Sequence, residues 1–333
     1  MTHVIDAHFD LLLDVAAKRE HGRRNVIVSD YLPDFMAGGV QTIVSAIYID
    51  NNFLPEMGLR KALQQISALH AEADESPDKI MVCKSVDDIE NAKKAGKVGF
   101  VLSLEGAEPL YNDLSMLRIF YELGVRFLGL VWSRRNFVGD GSHFSPVREG
   151  KKGGITEFGV RLIEEAEAMG MIIDVSHLND EGFWDVMEIS KKPIIASHSN
   201  CRSIADSMRN LTDEQIKAIA STNGVIGVNG VNIFVADNDN ESDLEHLLNH
   251  VDHIAALVGV EHVGIGLDII EPFMKYDSPV AIAQVSRKDF DVIKGHIQLP
   301  EIVRALANRG YTDEAIELIM GKNFIRVYKQ AWK

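Results

Sequence analysis

Thr156-Glu157-Phe158-Gly159-Val160-Arg161-Leu162-Ile163-Glu164-Glu165-Ala166-Glu167-Ala168-Met169-Gly170 runs without a break into Met171-Ile172-Ile173-Asp174-Val175-Ser176-His177. In the first half Phe158, Leu162, Ile163, Ala166 and Met169 recur at the 3.6-residue period, with Thr156 placed to cap the N-terminus and Gly170 to stop the helix. The second half is apolar on both faces and closes on a histidine, as a parallel strand covered on both sides would. A helix that stops and feeds directly into such a strand is the repeating step of a parallel α/β sheet.

The same step recurs along the chain. Apolar runs rich in β-branched residues predict eight strands, at Val4–Asp6, Val40–Ile49, Val98–Leu104, Val125–Trp132, Met171–Ser176, Pro193–Ser197, Gly224–Asn229 and His262–Leu267. Between them, Leu59–Asp74 carries an apolar stripe, and Leu211–Ala220 contains Thr212-Asp213-Glu214-Gln215, a capping box. Eight alternating strands and helices predict a (β/α)8 TIM-like barrel, distorted, with added loops around 50–58, 232–245 and 270–298 and a C-terminal helical segment. No repeat or Pro/Gly-rich linker divides residues 1–333, so the expectation is one domain. An open doubly wound sheet is the alternative, but the first strand is not followed by the GxGxxG that a dinucleotide would need.

Composition narrows the function. With 34 Lys+Arg against 49 Asp+Glu the net charge is −15, which repels nucleic acid and anionic membranes. No apolar stretch is long enough for a membrane span, and Met1-Thr2-His3 leads straight into the first apolar run. Cys83 and Cys201 form no CxxC pair and no disulfide framework, so a cytoplasmic setting is expected.

Barrel enzymes carry their chemistry where strands end, and here those ends share a character. The first run ends in His8 and Asp10, the third in Glu105, the fifth in His177, the sixth in Ser197-His198 and the last in Asp268. Any one of them has an ordinary explanation as a cap or a loop start. Together they put three histidines and three carboxylates on one rim, a nitrogen and oxygen donor set suited to zinc and similar metals. So many ligand-type residues exceed the need of one ion, so two metals are expected. Glu105 would bridge them, His8 and Asp10 would complete one, His177 and His198 the other, and Asp268 would remain as a base.

At these residues the chain resembles the membrane (renal) dipeptidase family of amidohydrolase-type barrels. The resemblance is carried by Ile5-Asp6-Ala7-His8-Phe9-Asp10, Leu104-Glu105-Gly106, Asp174-Val175-Ser176-His177, Ser197-His198-Ser199, Met208-Arg209-Asn210-Leu211-Thr212-Asp213 and His262-Val263-Gly264-Ile265-Gly266-Leu267-Asp268, and extends to Asn323-Phe324-Ile325-Arg326-Val327. It implies a barrel with two Zn2+ per chain bridged by Glu105, a small peptide substrate whose carboxylate is held by Arg209, tolerance of a D-residue at the substrate's C-terminal position, and a homodimer. The implied activity is hydrolysis of a dipeptide amide bond. A lactonase, deaminase or phosphoesterase using the same metals, or an inactive metal-bound barrel that acts as a binding protein, are the alternatives.

The chain departs from the family pattern in three places. Trp132 stands where a histidine touching the reacting carbonyl is usual, which shifts oxyanion stabilisation to a metal, to Arg135 or to Asn136. Trp132 and Asn136 are therefore expected to face substrate. Ile270 replaces an aspartate, and Asn229-Gly230-Val231-Asn232 offers no aromatic side chain where one is expected. The exported members' signal peptide and lipid anchor have no counterpart here. His246, His250 and His253 lie at helical spacing among leucines and read as a packing helix, and His21, His70, His143 and His296 are given no role.

Overall fold

The computed structural model describes residues 3–144, 150–276 and 287–333. Nine parallel strands form one sheet. They are β1 (Val4–Phe9), β2 (Val40–Tyr48), β3 (Ile80–Val82), β4 (Val98–Glu105), β5 (Val125–Gly129), β6 (Ile172–Asp174), β7 (Ile195–Ala196), β8 (Val225–Val228) and β9 (Val263–Ile265). The order β1-β2-β4-β5-β6-β7-β8-β9 is that of a (β/α)8 barrel, with β3 added beside the start of β4. Each expected strand is present. The extra one, β3, is too short to show a period.

The later strands are shorter than their apolar runs suggest, because side chains take over from the ladder. Asp174 Oδ1 accepts the amide of Ser176 at 3.0 Å and that of Ser197 at 2.9 Å, so β6 and β7 are joined past their ends by a carboxylate. Asn200 does the same between β7 and β8, accepting the Asn229 amide and donating to the Asn229 carbonyl, each at 2.9 Å. Between β9 and β1 no ladder forms among the described residues. That seam is closed by the Leu267 amide on Asp6 Oδ1 at 2.9 Å and by the Asp268 amide on the His8 carbonyl at 3.3 Å.

The helices begin and stop as their sequences dictate. Thr156 caps Glu157–Met169 through the Gly159 amide, Gly170 ends it with φ +90°, and Thr212 with Gln215 forms the full capping box of Asp213–Ser221. The C-terminal helix Asn323–Ala331 places Phe324, Val327 and Tyr328 in an apolar cluster with Ile5, Val101 and Phe127 of the strands. Gly264 admits it: a Cβ there would stand 2.3 Å from the Phe324 ring. Of the added segments, 51–53 and 232–235 form short helical turns, while 277–286 of the 270–298 insertion lies outside the described residues. Among the described residues no helix is long and apolar enough to cross a membrane.

Candidate metal centre

The parallel ladder brings every strand's C-terminal end to the same rim, so residues far apart in sequence meet there. His8 lies in β1 and Asp10 just past it, Glu105 ends β4, and His177, His198 and Asp268 follow β6, β7 and β9. All six are buried or nearly so. His177 and Asp268 hold φ of +69° and +53°, left-handed values that cost a side-chain-bearing residue on the order of 1–3 kcal/mol. In both cases the surrounding clamps hold a ligand-type side chain over the rim.

The distances are those of a tight cluster. His8 Nε2 lies 3.4 Å from Asp10 Oδ2, 3.6 Å from Glu105 Oε1 and 3.8 Å from Asp268 Oδ1. Glu105 Oε1 is 2.9 Å from His177 Nε2 and 3.7 Å from His198 Nε2. Two compact donor groups result, His8–Glu105–His198 and His8–Asp10–Asp268, each with its ligand atoms within 4.8 Å of one another. His8 thus stands in both groups, and Asp268, expected only as a base, stands at ligand distance in the second. Glu105 Oε1 lies within 3.7 Å of Nε2 of His8, His177 and His198 alike.

The electrostatics ask for a cation. Burial opposes a charge on His8, yet the carboxylates of Glu105, Asp10 and Asp268 outweigh it and push its imidazole up to about 10. Burial, reinforced by Asp10, lifts Glu105 well above the carboxylate range, and burial raises Asp268 to about 6 against the pull of His8. Burial, with Arg209 and His8 nearby, keeps His177 and His198 well below the usual imidazole range, so both rings are neutral. Both ring nitrogens of His8 and Oδ1 of Asp10 are buried without a hydrogen-bond partner among the described residues. Such atoms are costly unless something binds them. A donor set of imidazoles and carboxylates with excess negative charge fits divalent metal, and the two cysteines, both free and buried, lie outside both donor groups.

Neighbouring side chains fix the ligands. Ser133 Oγ is 2.9 Å from His177 Nδ1 and Ser197 Oγ is 2.7 Å from His198 Nδ1, which turns each Nε2 toward Glu105. Asn229 donates to Asp268 Oδ2 at 2.8 Å. Beside the cluster opens a cavity of about 430 Å³, lined by Asp10, Glu105, His177 and Asp268 on the polar side and by Tyr48, Trp132, Phe144, Phe234, Ile270 and Phe273 on the apolar side.

Arg209 is buried close to this rim. It donates to the His198 carbonyl at 3.1 Å and to Ser199 Oγ at 3.3 Å, lies 5.4 Å from the Phe234 ring, and keeps a buried Nε without a partner. It makes no ion pair among the described residues, and burial lowers it to about 10. Trp132 does face the cavity, with its ring against Tyr48 at 5.2 Å and Phe144 at 5.3 Å.

Asn136 is not brought to the site. Its amide donates to the Leu130 carbonyl at 2.9 Å and accepts from Val138 at 2.7 Å and Gly139 at 3.2 Å, so it shapes its own loop as an Asx-type turn and lines a separate cavity with Arg135. Nor does the small stretch Asn229–Asn232 leave the cavity without an aromatic ring, since Phe234, on the short helix Asn232–Val235, fills that wall. The histidines of Leu244–Val258 face three different ways: His246 to Asp243, His253 to Asp213, and His250 to the Cys201 amide and the Val235 carbonyl. Sequence reading passed over Asp6, Ser133 and His296. Asp6 had a signal, a carboxylate one pleat before His8, whereas His296 had none.

Residues 1–333 match the model of the membrane dipeptidase family, peptidase family M19. An uncharacterised protein from the pqqA 5′ region of Klebsiella pneumoniae is 32% identical over 274 residues, 81% of this chain and 96% of its own length. Dipeptidase tcpJ of Claviceps purpurea is 25% identical over 344 residues, 98% of this chain and 74% of its own. Among solved structures, a metallopeptidase from Rhodobacter sphaeroides, liganded with a phosphinate mimic of the dipeptide L-Ala-D-Ala, is 27% identical with a TM-score of 0.86, and covers 99% of each chain. Dipeptidase AC, an M19 metallopeptidase, gives the same TM-score and coverage at 28% identity.

Proposed function

The chain belongs to the membrane dipeptidase family, peptidase family M19, a family of metal-dependent hydrolases, and from that premise we propose that it is a two-zinc dipeptidase acting on short peptides, including those with a D-residue at the C-terminal position. The observation that carries this reading is the pairing of two donor groups sharing His8 with a buried, unpartnered Arg209 Nε close by. The second group would hold one zinc through His8, Asp10 and Asp268. Glu105, His177 and His198 would hold the other, with Glu105 shared. Zinc bound there supplies Lewis acidity toward a carbonyl and toward water.

The chain's own residues supply the rest. Arg209 receives the substrate's free carboxylate in a charge-assisted fork, which limits useful substrates to those ending within a residue of the scissile bond. Trp132, Phe144 and Phe234 cover the substrate and keep out bulk water. Asp268, held near neutrality and oriented by Asn229, accepts a proton from the attacking water and returns it to the leaving amine, a role worth about 10²- to 10⁴-fold. The free, buried thiols of Cys83 and Cys201 support a reducing, cytoplasmic setting.

The deciding experiment is zinc analysis of the purified chain together with hydrolysis of L-Ala-D-Ala and L-Ala-L-Ala, before and after chelation and zinc return. About two zinc ions per chain and activity that follows them are expected. A chain that retains its zinc and cleaves no dipeptide overturns the reading.

A further inference from the structure

One stretch braces the rim from behind. Asp291, buried, accepts the amides of Ile270 at 2.8 Å and Glu271 at 2.9 Å, the turn that follows Asp268. Five positions on, His296 Nε2 lies 2.7 Å from Asp6 Oδ2. The other oxygen of Asp6 accepts the amide of Leu267 at 2.9 Å, just before Asp268, and the amide of His8 at 3.3 Å. The His296 ring is set edge-on to Phe9 at 4.7 Å and Phe35 at 4.9 Å, so its reach to Asp6 is fixed by packing. Asp268 is therefore gripped on both sides by residues 291 and 296, at the seam between β9 and β1 that no ladder closes among the described residues.

We propose that His296, acting through Asp6, and Asp291, acting through the turn after Asp268, are positioning residues that set the spacing of His8 from Asp268, a pair that only the second donor group contains, and so tune that metal position and not the other. The selectivity follows from the contrast with Asp174. That carboxylate clamps the strand ends bearing His177 and His198 by accepting two amides with one oxygen, and no histidine holds it. The proposal rests on the two-zinc reading above.

The test is zinc titration of the full chain, stripped and then reloaded against a chromophoric chelator, for the wild type, His296→Phe, His296→Gln and Asp291→Asn. Phenylalanine keeps the ring against Phe9 and Phe35 but offers no donor, whereas the glutamine amide does. Expected is a loss of roughly 10- to 100-fold in affinity for one equivalent of zinc in His296→Phe and Asp291→Asn, the second equivalent unchanged, with recovery in His296→Gln. In the same variants kcat for L-Ala-D-Ala should fall while KM holds, because Arg209 is untouched. Both equivalents bound as in the wild type, or both weakened alike without recovery in His296→Gln, overturns the proposal. Should His296→Phe fail to fold, Asp291→Asn decides by the same comparison. A wild type that takes up fewer than two equivalents overturns the two-zinc reading instead.

Discussion

The hydroxyl of Ser133 stands 2.9 Å from Nδ1 of His177, a partner that can accept Nδ1–H and so leave Nε2 free to bind a cation. Ser133→Ala removes that partner without touching the cluster. Zinc affinity measured by chelator competition should drop roughly tenfold or more. The unfolding midpoint of the metal-free chain should barely move.

Asp268→Asn keeps shape and the hydrogen-bond reach of the side chain but cannot take up a proton. A fall of about 10²- to 10⁴-fold in kcat is expected. The wild-type kcat/KM should also lose an acid limb in the variant. Burial holds the Asp268 carboxyl at about 6, and a neighbouring cation can only lower it, so that limb lies at or below about pH 6 and activity declines as pH falls through it.

Arg209→Met is expected to raise KM for dipeptides by roughly 100-fold, the worth of about 2.7 kcal/mol for a charge-assisted pair. Dipeptide amides, which carry no free carboxylate, should respond far less. Steady-state kinetics on the matched acid and amide decide it, and equal losses on both would remove Arg209 from carboxylate recognition.

His250 makes acid stability testable apart from the metals. Its Nδ1 accepts the Cys201 amide at 3.1 Å and its Nε2–H donates to the Val235 carbonyl at 2.9 Å, so the native ring is neutral, and burial lowers it to about 4. The unfolded chain therefore binds the extra proton first. Stability is full above pH 6.5 and falls as pH drops from 6.5 toward 4, by about 3 kcal/mol at the limit for this residue. Denaturant midpoints for the wild type and His250→Gln at pH 7 and pH 5 should show a shallower fall in the variant.

The convergence of His8, Asp10, Glu105, His177, His198 and Asp268 was legible because each closes an apolar run, and a parallel barrel turns that position into a shared rim. The helix caps at Thr156 and Thr212 were legible because capping is local. What escaped was decided by partners distant in sequence. Asp6 and His296 are 290 positions apart, and nothing near either residue announces the other. Asn136 looked available because loop amides often face ligands, but three backbone groups of its own loop take it first. Ser176 and Ser197 were read as strand residues, yet Asp174 draws their amides out of the ladder.

The unladdered seam also sets an order of events during synthesis. Glu105, His177 and His198 all lie within the first 198 residues, and their strands are neighbours in chain order. His8 and Asp10, although among the first residues to emerge, must wait for Asp268 and for the grip of His296 on Asp6 before their half of the site exists. On the two-zinc reading, the position formed by His8, Asp10 and Asp268 would therefore be completed only by the late part of the chain, and a chain that ends before His296 would lack the partner of Asp6.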